Sequence, residues 1–292
     1  MIDARSGAVT PRNGLSLCPD PPAVMGIVNC TPDSFYPGSR NESLADAYES
    51  ARRLIAGGAD IVDIGGESTR PGSDYVGGEK ERERVIPVIQ EIRSFSNIFI
   101  SVDTRKAEVA AAALEAGADM VNDISALEDD PELVSLLAEK KVPVILMHKQ
   151  GSPKNMQDDP YYEDPVGEIK EYFASRIRFA AARGISKERI IIDPGIGFGK
   201  RLQDNLELLG RIEEFHELGV PVCLGVSRKS FIGKVLGENG KVRGADERLY
   251  GTLGVNAWAA LQDVQILRVH DAAEHAEMIT LIKALRKIKE GT

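Results

Sequence analysis

The sequence lacks the features that mark secreted and membrane-spanning proteins. Its 292 residues include only three cysteines, Cys18, Cys30 and Cys223, and none of them form a CxxC pair. Neither a disulfide framework nor a zinc site is therefore predicted. No run of about 18 apolar residues is present for a membrane span, and residues 1–22 contain no apolar signal-peptide core. We therefore expect a cytoplasmic protein with no membrane partner.

Basic residues are too few for a protein that binds nucleic acid. Lys and Arg number 36 against 45 Asp and Glu, which gives a formal net charge of -9. A phosphate backbone or an anionic membrane attracts proteins with excess positive charge, so neither is expected as a partner. A small anionic substrate stays open, because its site needs only a few local cations.

Short apolar runs alternate with longer amphipathic ones along most of the chain. The short runs are rich in Val and Ile, which is typical of buried parallel strands. Strands are predicted at Val24–Asn29, Ile61–Gly65, Ile98–Asp103, Met120–Asp123, Pro143–Met147, Ile190–Asp193, Pro221–Gly225 and Ile266–Val269. Helices are predicted at residues 43–57, 79–93, 105–116, 131–139, 165–183, 204–218, 245–261 and 271–289. Asp204 and Asp271 are the predicted N-caps of the sixth and eighth helices.

Eight strand–helix units in series favour one closed (β/α)8 TIM barrel over residues 23–292, preceded by an N-terminal extension of residues 1–22. No linker rich in Pro, Ser or charge divides the chain. A doubly wound, Rossmann-type sheet is the alternative, although such a sheet usually has fewer strands for this length. The stretch Gly195-x-Gly197-x-Gly199 fits neither GxGxxG nor a P-loop, so it predicts a tight turn that lets backbone approach a ligand.

A barrel fold predicts where the functional groups lie. Active sites of such barrels are built at the rim formed by the C-terminal ends of the strands. A single Asp at a strand end is more often a helix cap than a catalyst, but here every strand end carries compatible polar groups. They are Asn29 and Asp33, Thr69 and Arg70, Asp103, Asn122, His148, Asp193, Lys229, and Arg268 with His270.

The charges of these residues divide into two sets. Four cationic side chains are suited to a phosphate or pyrophosphate: Arg70, Lys229, Arg268 and His270. Three acceptor-rich side chains form a separate set: Asp103, Asn122 and Asp193. An ionised carboxylate only accepts hydrogen bonds, so it matches a ligand edge with adjacent N–H donors, such as N3–H and the 2-amino group of a pterin.

At this point a resemblance to a known family becomes specific. The motifs occur in family order between about residues 24 and 270, and they resemble the signatures of the dihydropteroate synthases. They are Met25-Gly26-Ile27-Val28-Asn29-Cys30-Thr31-Pro32-Asp33-Ser34-Phe35, Gly66-Glu67-Ser68-Thr69-Arg70-Pro71-Gly72, Ser101-Val102-Asp103-Thr104, Asn122-Asp123-Ile124, Asp193-Pro194-Gly195-Ile196-Gly197-Phe198-Gly199-Lys200, Ser227-Arg228-Lys229-Ser230-Phe231 and Arg268-Val269-His270. The sequence departs from the family at Phe35-Tyr36-Pro37-Gly38, where a Ser-Asp-Gly turn is common.

The resemblance implies a role for each of these positions. The pterin would be bound by Asp103, Asn122, Asp193 and Lys229 in a slot lined by Ile124, Met147 and Gly225. Asn29 would bind the magnesium ion, and Arg268 and His270 the pyrophosphate. The p-aminobenzoate side would comprise Asp33, Phe35, Thr69, Arg70, Pro71, Phe198 and Ser230. A homodimer is also implied, with the last two helices as the candidate interface.

The implied reaction transfers the pterin's methylene carbon from pyrophosphate to the amine of p-aminobenzoate. Magnesium and the cationic rim would stabilise the leaving anion, and the arylamine is neutral and nucleophilic without a strong general base. We expect Asp103, Lys229, Arg268 and His270 to act on the reacting groups.

Other functions are compatible with part of this pattern. A methyltetrahydrofolate-dependent methyltransferase would use a similar barrel and pterin slot, but it has no need of the cations in the Thr69-Arg70-Pro71 and Arg228-Lys229 segments. The only argument in the sequence against a pterin-binding protein without catalytic activity is that the site is intact. An isomerase of phosphosugars is disfavoured by the Asp103, Asn122 and Asp193 set.

Overall fold

A computed structural model of the chain describes residues 22–30, 40–68, 72–151, 156 and 158–290. Its strands lie close to the predicted positions, because most are short runs rich in Val and Ile between polar segments. They are β1 (Ala23–Asn29), β2 (Ile61–Gly65), β3 (Phe99–Asp103), β4 (Met120–Asp123), β5 (Val144–Met147), β6 (Ile190–Asp193), β7 (Cys223–Leu224) and β8 (Ile266–Val269). The helices are α1 (Arg40–Ala56), α2 (Gly78–Phe95), α3 (Ala107–Ala116), α4 (Pro131–Lys140), α5 (Pro165–Ala181), α6 (Leu202–Gly210), α7 (Ser230–Val235), α8 (Leu249–Leu261) and α9 (Ala272–Glu290).

The strands form one parallel sheet that closes on itself as a barrel. The strand order is β6-β5-β4-β3-β2-β1-β8-β7. The ring closes between β6 and β7 through a parallel bridge from Ile192 to Val222, with Ile192 N donating to the carbonyl of Pro221 at 3.0 Å. The chain is a single (β/α)8 barrel, and the doubly wound alternative is wrong.

The barrel interior changes in polarity along its axis. At the N-terminal end the inward-facing side chains form a closed apolar layer of Ala23, Met25, Ile61, Phe99, Met120, Ile145, Ile191, Cys223 and Ile266. Strand register then brings Asn29 beside Gly65, Gly65 beside Asp103, and Asp103 beside Asn122 at the C-terminal ends. Apolar side chains outside the sheet pack against the helices in a second, larger core.

Several element boundaries differ from the prediction. The predicted helix 204–218 is divided, because α6 ends at Gly210, a residue of low helix propensity, and a 3-10 helix continues over Ile212–Leu218. Asp204 is the third residue of α6 rather than its N-cap, and its carboxylate accepts a hydrogen bond from Arg201 N at 2.7 Å. The region 245–261 begins as a 3-10 turn, Ala245–Arg248, before α8. The short helix α7 was not predicted.

No helix in the described part of the chain combines the length and apolar character that a membrane span requires.

Candidate active site

The centre of the candidate site is the guanidinium of Arg268, which projects from β8 into the barrel. Its Nε donates to Asp63 Oδ2 at 2.6 Å, and its Nη2 donates to Asp103 Oδ2 at 2.7 Å. Asn122 Nδ2 also donates to Asp63 Oδ2, at 3.1 Å. We call Asp63, Asp103, Asn122 and Arg268 the interior polar cluster. It joins β2, β3, β4 and β8, so residues 205 positions apart in sequence lie in direct contact.

Asp63 is the member of this cluster that sequence reasoning missed. Its side chain is fully buried, and its Oδ1 has no hydrogen-bond partner within the described structure. Ser101, equally buried on the next strand and in register with Asp63, has an unpartnered hydroxyl as well. The signal was present: a charged residue in the middle of the apolar run Ile61-Val62-Asp63-Ile64-Gly65 has to face the barrel interior, and it would be costly there without a partner.

Burial and neighbouring charges act in opposite directions on the pKa of Asp103. Its pKa is raised to about 7: removal from water raises it, the Arg268 guanidinium acts to lower it, and the nearby Asp63 carboxylate also raises it. Two carboxyl groups therefore share one guanidinium, and with the pKa of Asp103 at about 7 the cluster takes up a proton close to neutral pH. A ligand that brings positive charge or N–H donors to this end of the barrel would favour the ionised form of Asp103.

Asp193, at the end of β6, and Lys229, after β7, lie close to Arg268 at the same end of the barrel. Asp193 Oδ1 accepts a hydrogen bond from Gly195 N at 2.8 Å, and burial raises the pKa of Asp193 while the charge of Lys229 lowers it. Burial lowers the pKa of Lys229 to about 8, and Asp193 opposes that shift. Gly225 leaves room beside them, since a Cβ there would lie 3.6 Å from Asp193 Oδ2 and 3.9 Å from Arg268.

We number each loop by the strand that it follows, so the seventh loop follows β7 and the eighth follows β8. His270 lies directly after β8, beside the seventh loop. Its Nδ1 is 2.9 Å from the hydroxyl of Ser227, and its backbone N–H donates to the same oxygen at 3.2 Å. Lys229 follows Ser227 by two residues, and its ammonium lies 4.6 Å from the ring centroid of Phe198. The predicted cations Lys229, Arg268 and His270 are therefore brought to one end of the barrel from β7 and β8.

The glycine-rich turn after β6 has positive φ values of 67°, 85° and 62° at Gly195, Gly197 and Gly199. The predicted tight turn is confirmed. Its backbone packs closely against the fifth loop, however, and not against an open ligand site. A Cβ on Gly195 would lie 1.9 Å from the carbonyl oxygen of His148, and one on Gly199 would lie 2.3 Å from that of Gln150. Only glycine fits at these two positions.

A buried amine lies behind this turn. Lys200 Nζ contacts His148 Nδ1 at 3.0 Å and donates to the carbonyl of Phe198 at 3.0 Å. Burial lowers the pKa of Lys200 to about 7, and burial together with the Lys200 charge lowers the pKa of His148 to about 2. The imidazole of His148 is therefore neutral at physiological pH. The contact spans 52 residues, so no local pattern in the sequence indicated it.

The remaining described residues lie around the rim. Ile124 and Met147 are buried at the ends of β4 and β5, and Met147 is in register with Asp193. Ser230 is exposed as the first residue of α7, and Asn29 is partly buried as the last residue of β1. The other predicted site residues lie outside the described residues: Asp33, Phe35, Thr69, Arg70 and Pro71.

The described base of the second loop is fixed by a charge network that sequence reasoning did not find. Glu67 accepts from Lys106 Nζ at 2.7 Å, from Arg105 Nη2 at 3.1 Å and from Val76 N at 3.0 Å. These bonds hold the pKa of Glu67 below its usual value although burial acts to raise it. Glu67 therefore ties the start of the second loop both to the third loop and to Val76 near the end of the second.

Comparison with known proteins agrees with this geometry. Residues 25–270 match the family described as pterin binding enzyme. The dihydropteroate synthase of Escherichia coli strain K12 is 45% identical over 278 residues, which cover 95% of this chain and 96% of that protein. A Yersinia pestis dihydropteroate synthase in a sulfonamide drug complex aligns with a TM-score of 0.88 at 40% identity, covering 96% of this chain and 99% of that one. A Xanthomonas albilineans dihydropteroate synthase in complex with 7,8-dihydropteroate gives a TM-score of 0.83 at 40% identity, covering 93% and 95%. The chain therefore belongs to the dihydropteroate synthase family of pterin-binding enzymes.

Proposed function

We propose that this rim joins 6-hydroxymethyl-7,8-dihydropterin diphosphate to p-aminobenzoate, releasing pyrophosphate and 7,8-dihydropteroate for folate biosynthesis. The observation that carries the proposal is the buried set of acceptors, Asp103, Asn122 and Asp193, next to the cations Lys229 and Arg268. Membership of the dihydropteroate synthase family supports the same reaction.

The pterin ring would lie between Asp193 and the interior polar cluster. The carboxylate of Asp193 accepts from the N3–H and 2-amino donors, Asn122 pairs with a mixed donor–acceptor edge, and Lys229 donates to the ring carbonyl. Lys229 is protonated below about pH 8, so at neutral pH it supplies a charged donor. Ile124, Met147 and Gly225 line the slot.

The leaving group would be held by cations on the β8 side. Arg268 already directs Nε and Nη2 at two carboxylates, and Nη1, which forms no hydrogen bond with the described residues, is available to the diphosphate. His270 adds a second donor. As the C–O bond breaks, positive charge develops on the pterin methylene, and the Asp103 carboxylate next to the ring stabilises it.

The amine of p-aminobenzoate attacks that carbon as the neutral nucleophile, so its nitrogen loses a proton only after the C–N bond forms. Phe198 and Ser230 border this side, and Asp33, Phe35, Thr69, Arg70 and Pro71 belong to the same part of the proposal. A strong general base is not required, because an arylamine is uncharged at neutral pH.

Magnesium fits this donor set in one specific way. The described residues contain no group of three or more His, Cys, Asp or Glu side chains arranged for a metal. Mg²⁺ usually keeps several waters and is held by one or two protein oxygens together with substrate phosphates. The amide oxygen of Asn29 at the end of β1 suits that arrangement. When bound, the ion would neutralise charge on the departing pyrophosphate.

The alternatives predict different chemistry. A methyltransferase that uses methyltetrahydrofolate would transfer a methyl group and would be indifferent to pyrophosphate. A pterin-binding protein without catalysis would bind both ligands and form no product. Both are disfavoured by the cations at the pyrophosphate side and by the family to which the chain belongs.

The test is pyrophosphate release from the three components, pterin diphosphate, p-aminobenzoate and magnesium. Release should require p-aminobenzoate, and 7,8-dihydropteroate should accumulate in equal amount. Chelation with EDTA should abolish turnover, and added magnesium should restore it. Binding of both substrates without product would refute the proposed reaction, and an unchanged rate in EDTA would refute the role of the metal.

A homodimer formed through α8 and α9 is part of the proposal. Leu281, Leu285 and Ile288 recur along one face of α9 and are 64%, 64% and 80% exposed. Tyr250 and Leu261 on the adjoining α8 are exposed as well. An apolar stripe of this kind on a helix is typical of an interface.

Light scattering after gel filtration should give twice the chain mass for the wild type and the single mass for Leu285→Glu. Val242→Glu, at a similarly exposed position before α8, is the control and should remain dimeric. A monomeric wild type would refute the dimer.

We also assign the protein to the cytoplasm, where its buried free thiols Cys30 and Cys223 would stay reduced.

A further inference from the structure

The seventh and eighth loops are joined by an ion pair next to the cations of the site. Arg228 Nε donates to Asp271 Oδ2 at 2.8 Å, and Arg228 Nη2 donates to Asp271 Oδ1 at 2.7 Å. The two parallel bonds form a bidentate fork, the geometry that fixes an arginine most firmly on a carboxylate. Arg228 directly precedes Lys229, and Asp271 directly follows His270.

The backbone of Arg228 has an unusual conformation. Its φ is +55°, in the left-handed region, which is unfavourable for a residue with a side chain. Its N–H donates to the Thr252 hydroxyl at 3.0 Å, and its carbonyl accepts from Arg248 Nη1 at 2.8 Å. Thr252 is fully buried in α8 and donates to the Arg248 carbonyl at 2.8 Å. The turn that precedes Lys229 is thus fixed from the helix behind it.

The eighth loop is held to the same turn. The hydroxyl of Ser227 is shared by the N–H and the Nδ1 of His270, at 3.2 and 2.9 Å. Burial acts to raise the pKa of Asp271, but the hydrogen bonds and charge of Arg228 outweigh it, so the pKa lies below its usual value and the carboxylate is ionised at neutral pH. A second acidic neighbour of Arg228, Asp246, is 4.0 Å away and fully exposed, so it screens the guanidinium weakly.

We propose that Arg228 and Asp271 are positioning residues for the condensation. Their ion pair fixes the position of the seventh loop relative to the eighth. Lys229 is thereby kept on the pterin side and His270 on the pyrophosphate side of the same ligand. This inference rests on the proposed function, since it takes those two cations as ligand contacts. Neither Arg228 nor Asp271 needs to touch a substrate.

A structural role alone would make a different prediction. If the ion pair served only to offset the strained backbone of Arg228, replacement of Arg228 by glycine, which adopts positive φ without strain, would preserve activity. If the pair fixes the loop register, Arg228→Gly should lose activity although it relieves the strain.

The decisive comparison is between Asp271→Asn and Asp263→Asn. Asp263 pairs with Arg286 at 2.7 Å in the turn before β8, at the far end of the strand from the site, and its positive φ of 59° is tolerated by asparagine. Each variant removes the negative charge of the aspartate from one Asp–Arg ion pair. We expect Asp271→Asn to lose at least about tenfold in kcat/KM for the pterin diphosphate, because it breaks a bidentate charged pair. Asp263→Asn should stay within about twofold of the wild type, since exposed pairs contribute little.

A second readout avoids dependence on turnover. Calorimetric titration with pyrophosphate and magnesium should show at least about fivefold weaker binding to Asp271→Asn and unchanged binding to Asp263→Asn, as expected when a contact residue loses its support. Arg228→Lys, which keeps the charge and loses the fork, should resemble Asp271→Asn and serves if that variant does not fold.

Wild-type activity separates the two proposals. No turnover by the wild type would refute the proposed function. Normal kcat/KM and pyrophosphate binding in Asp271→Asn, or full activity in Arg228→Gly, would overturn the positioning role while the proposed function stands.

Discussion

Replacement of Asp63 by asparagine tests how far a residue inside the barrel supports the site at its rim. The amide oxygen can still accept from Arg268 and Asn122, so the shape of the interior polar cluster is retained while one negative charge is lost. Arg268 then has Asp103, 2.7 Å away, as its only described carboxylate partner. Two unit charges about 4 Å apart interact by about 4 kcal/mol at an effective dielectric constant of about 20.

The net loss is smaller than that interaction. Arg268 is 22% exposed, so water partly compensates for the missing charge, and we expect about 3 kcal/mol, at the low end for breaking a buried pair. If the loss acts on the bound transition state, kcat/KM should fall by about 100-fold, since about 1.4 kcal/mol corresponds to a factor of ten. If it acts on the fold, the melting temperature should fall by roughly 6 °C.

Asp119→Asn is the matched control. Asp119 forms an ion pair with Arg93 with little exposure of either side chain, and it also accepts from Ile100 N at 2.9 Å at the N-terminal end of the barrel. We expect both variants to lose thermal stability, but only Asp63→Asn to lose kcat/KM for pterin diphosphate when measured below its melting temperature. Steady-state pyrophosphate release and calorimetric melting measure the two quantities. Equal catalytic losses, or wild-type kcat/KM in Asp63→Asn, would show that Asp63 does not support the reaction through Arg268.

Three further predictions concern the ligand contacts. Asp193→Asn puts a donor where the pterin also donates, leaving unpaired polar groups at about 1–3 kcal/mol; calorimetry should show at least about tenfold weaker pterin binding, and unchanged affinity would remove Asp193 from the site. Arg268→Ala should weaken binding of pyrophosphate far more than binding of a pterin without the diphosphate, and equal losses would mean that Arg268 serves only Asp63 and Asp103. The wild-type kcat/KM should fall as the pH rises through about 8, where Lys229 loses its proton, and Lys229→Arg should move this limb to higher pH because arginine stays charged. The pKa of Lys229 is lower in the folded protein than in the unfolded chain. Its contribution to stability is therefore present above the unfolded pKa and is lost as the pH falls through about 8. Unfolding would thus not explain a loss of activity at high pH.

The fold could be read from the sequence because its signal is local. Most strands are short runs rich in Val and Ile, and eight strand–helix units in series leave few other architectures. The failures occurred where the local signal is weak. The helix α7 has only six residues, too few to show a helical period, and β7 pairs over only Cys223–Leu224. The break after Gly210 depends on a single residue within a continuous amphipathic pattern.

The site was read from the rule that functional groups follow the strands, and that rule has a limit. It located Asp103 and Asp193, which end their strands, and Asn122, which lies one residue before the end of β4. It could not locate Asp63, which lies two residues before the end of β2 and faces inward. It also could not indicate that Arg268 binds Asp63 and Asp103, because the contacts span 205 and 165 residues. Pairings of this kind depend on the strand register, which cannot be read from the sequence.

The polarity gradient inside the barrel explains why these charges can be buried at all. The apolar layer at the N-terminal end takes a residue from every strand and fills that end of the barrel, so the polar side chains are confined to the layer above it. In that upper layer, Asp63 Oδ1 and the Ser101 hydroxyl have no hydrogen-bond partner in the described structure. Burial also raises the pKa values of Asp103 and Asp193 and lowers that of Lys229, which favours the neutral form of each group. Unsatisfied buried groups of this kind cost about 1–3 kcal/mol each. Asp63 and Ser101 are out of reach of a ligand, but one that supplies donors to Asp103 and Asp193 and an acceptor to Lys229 recovers part of the cost of burying those three groups, so the site favours a polar heterocycle over an apolar one.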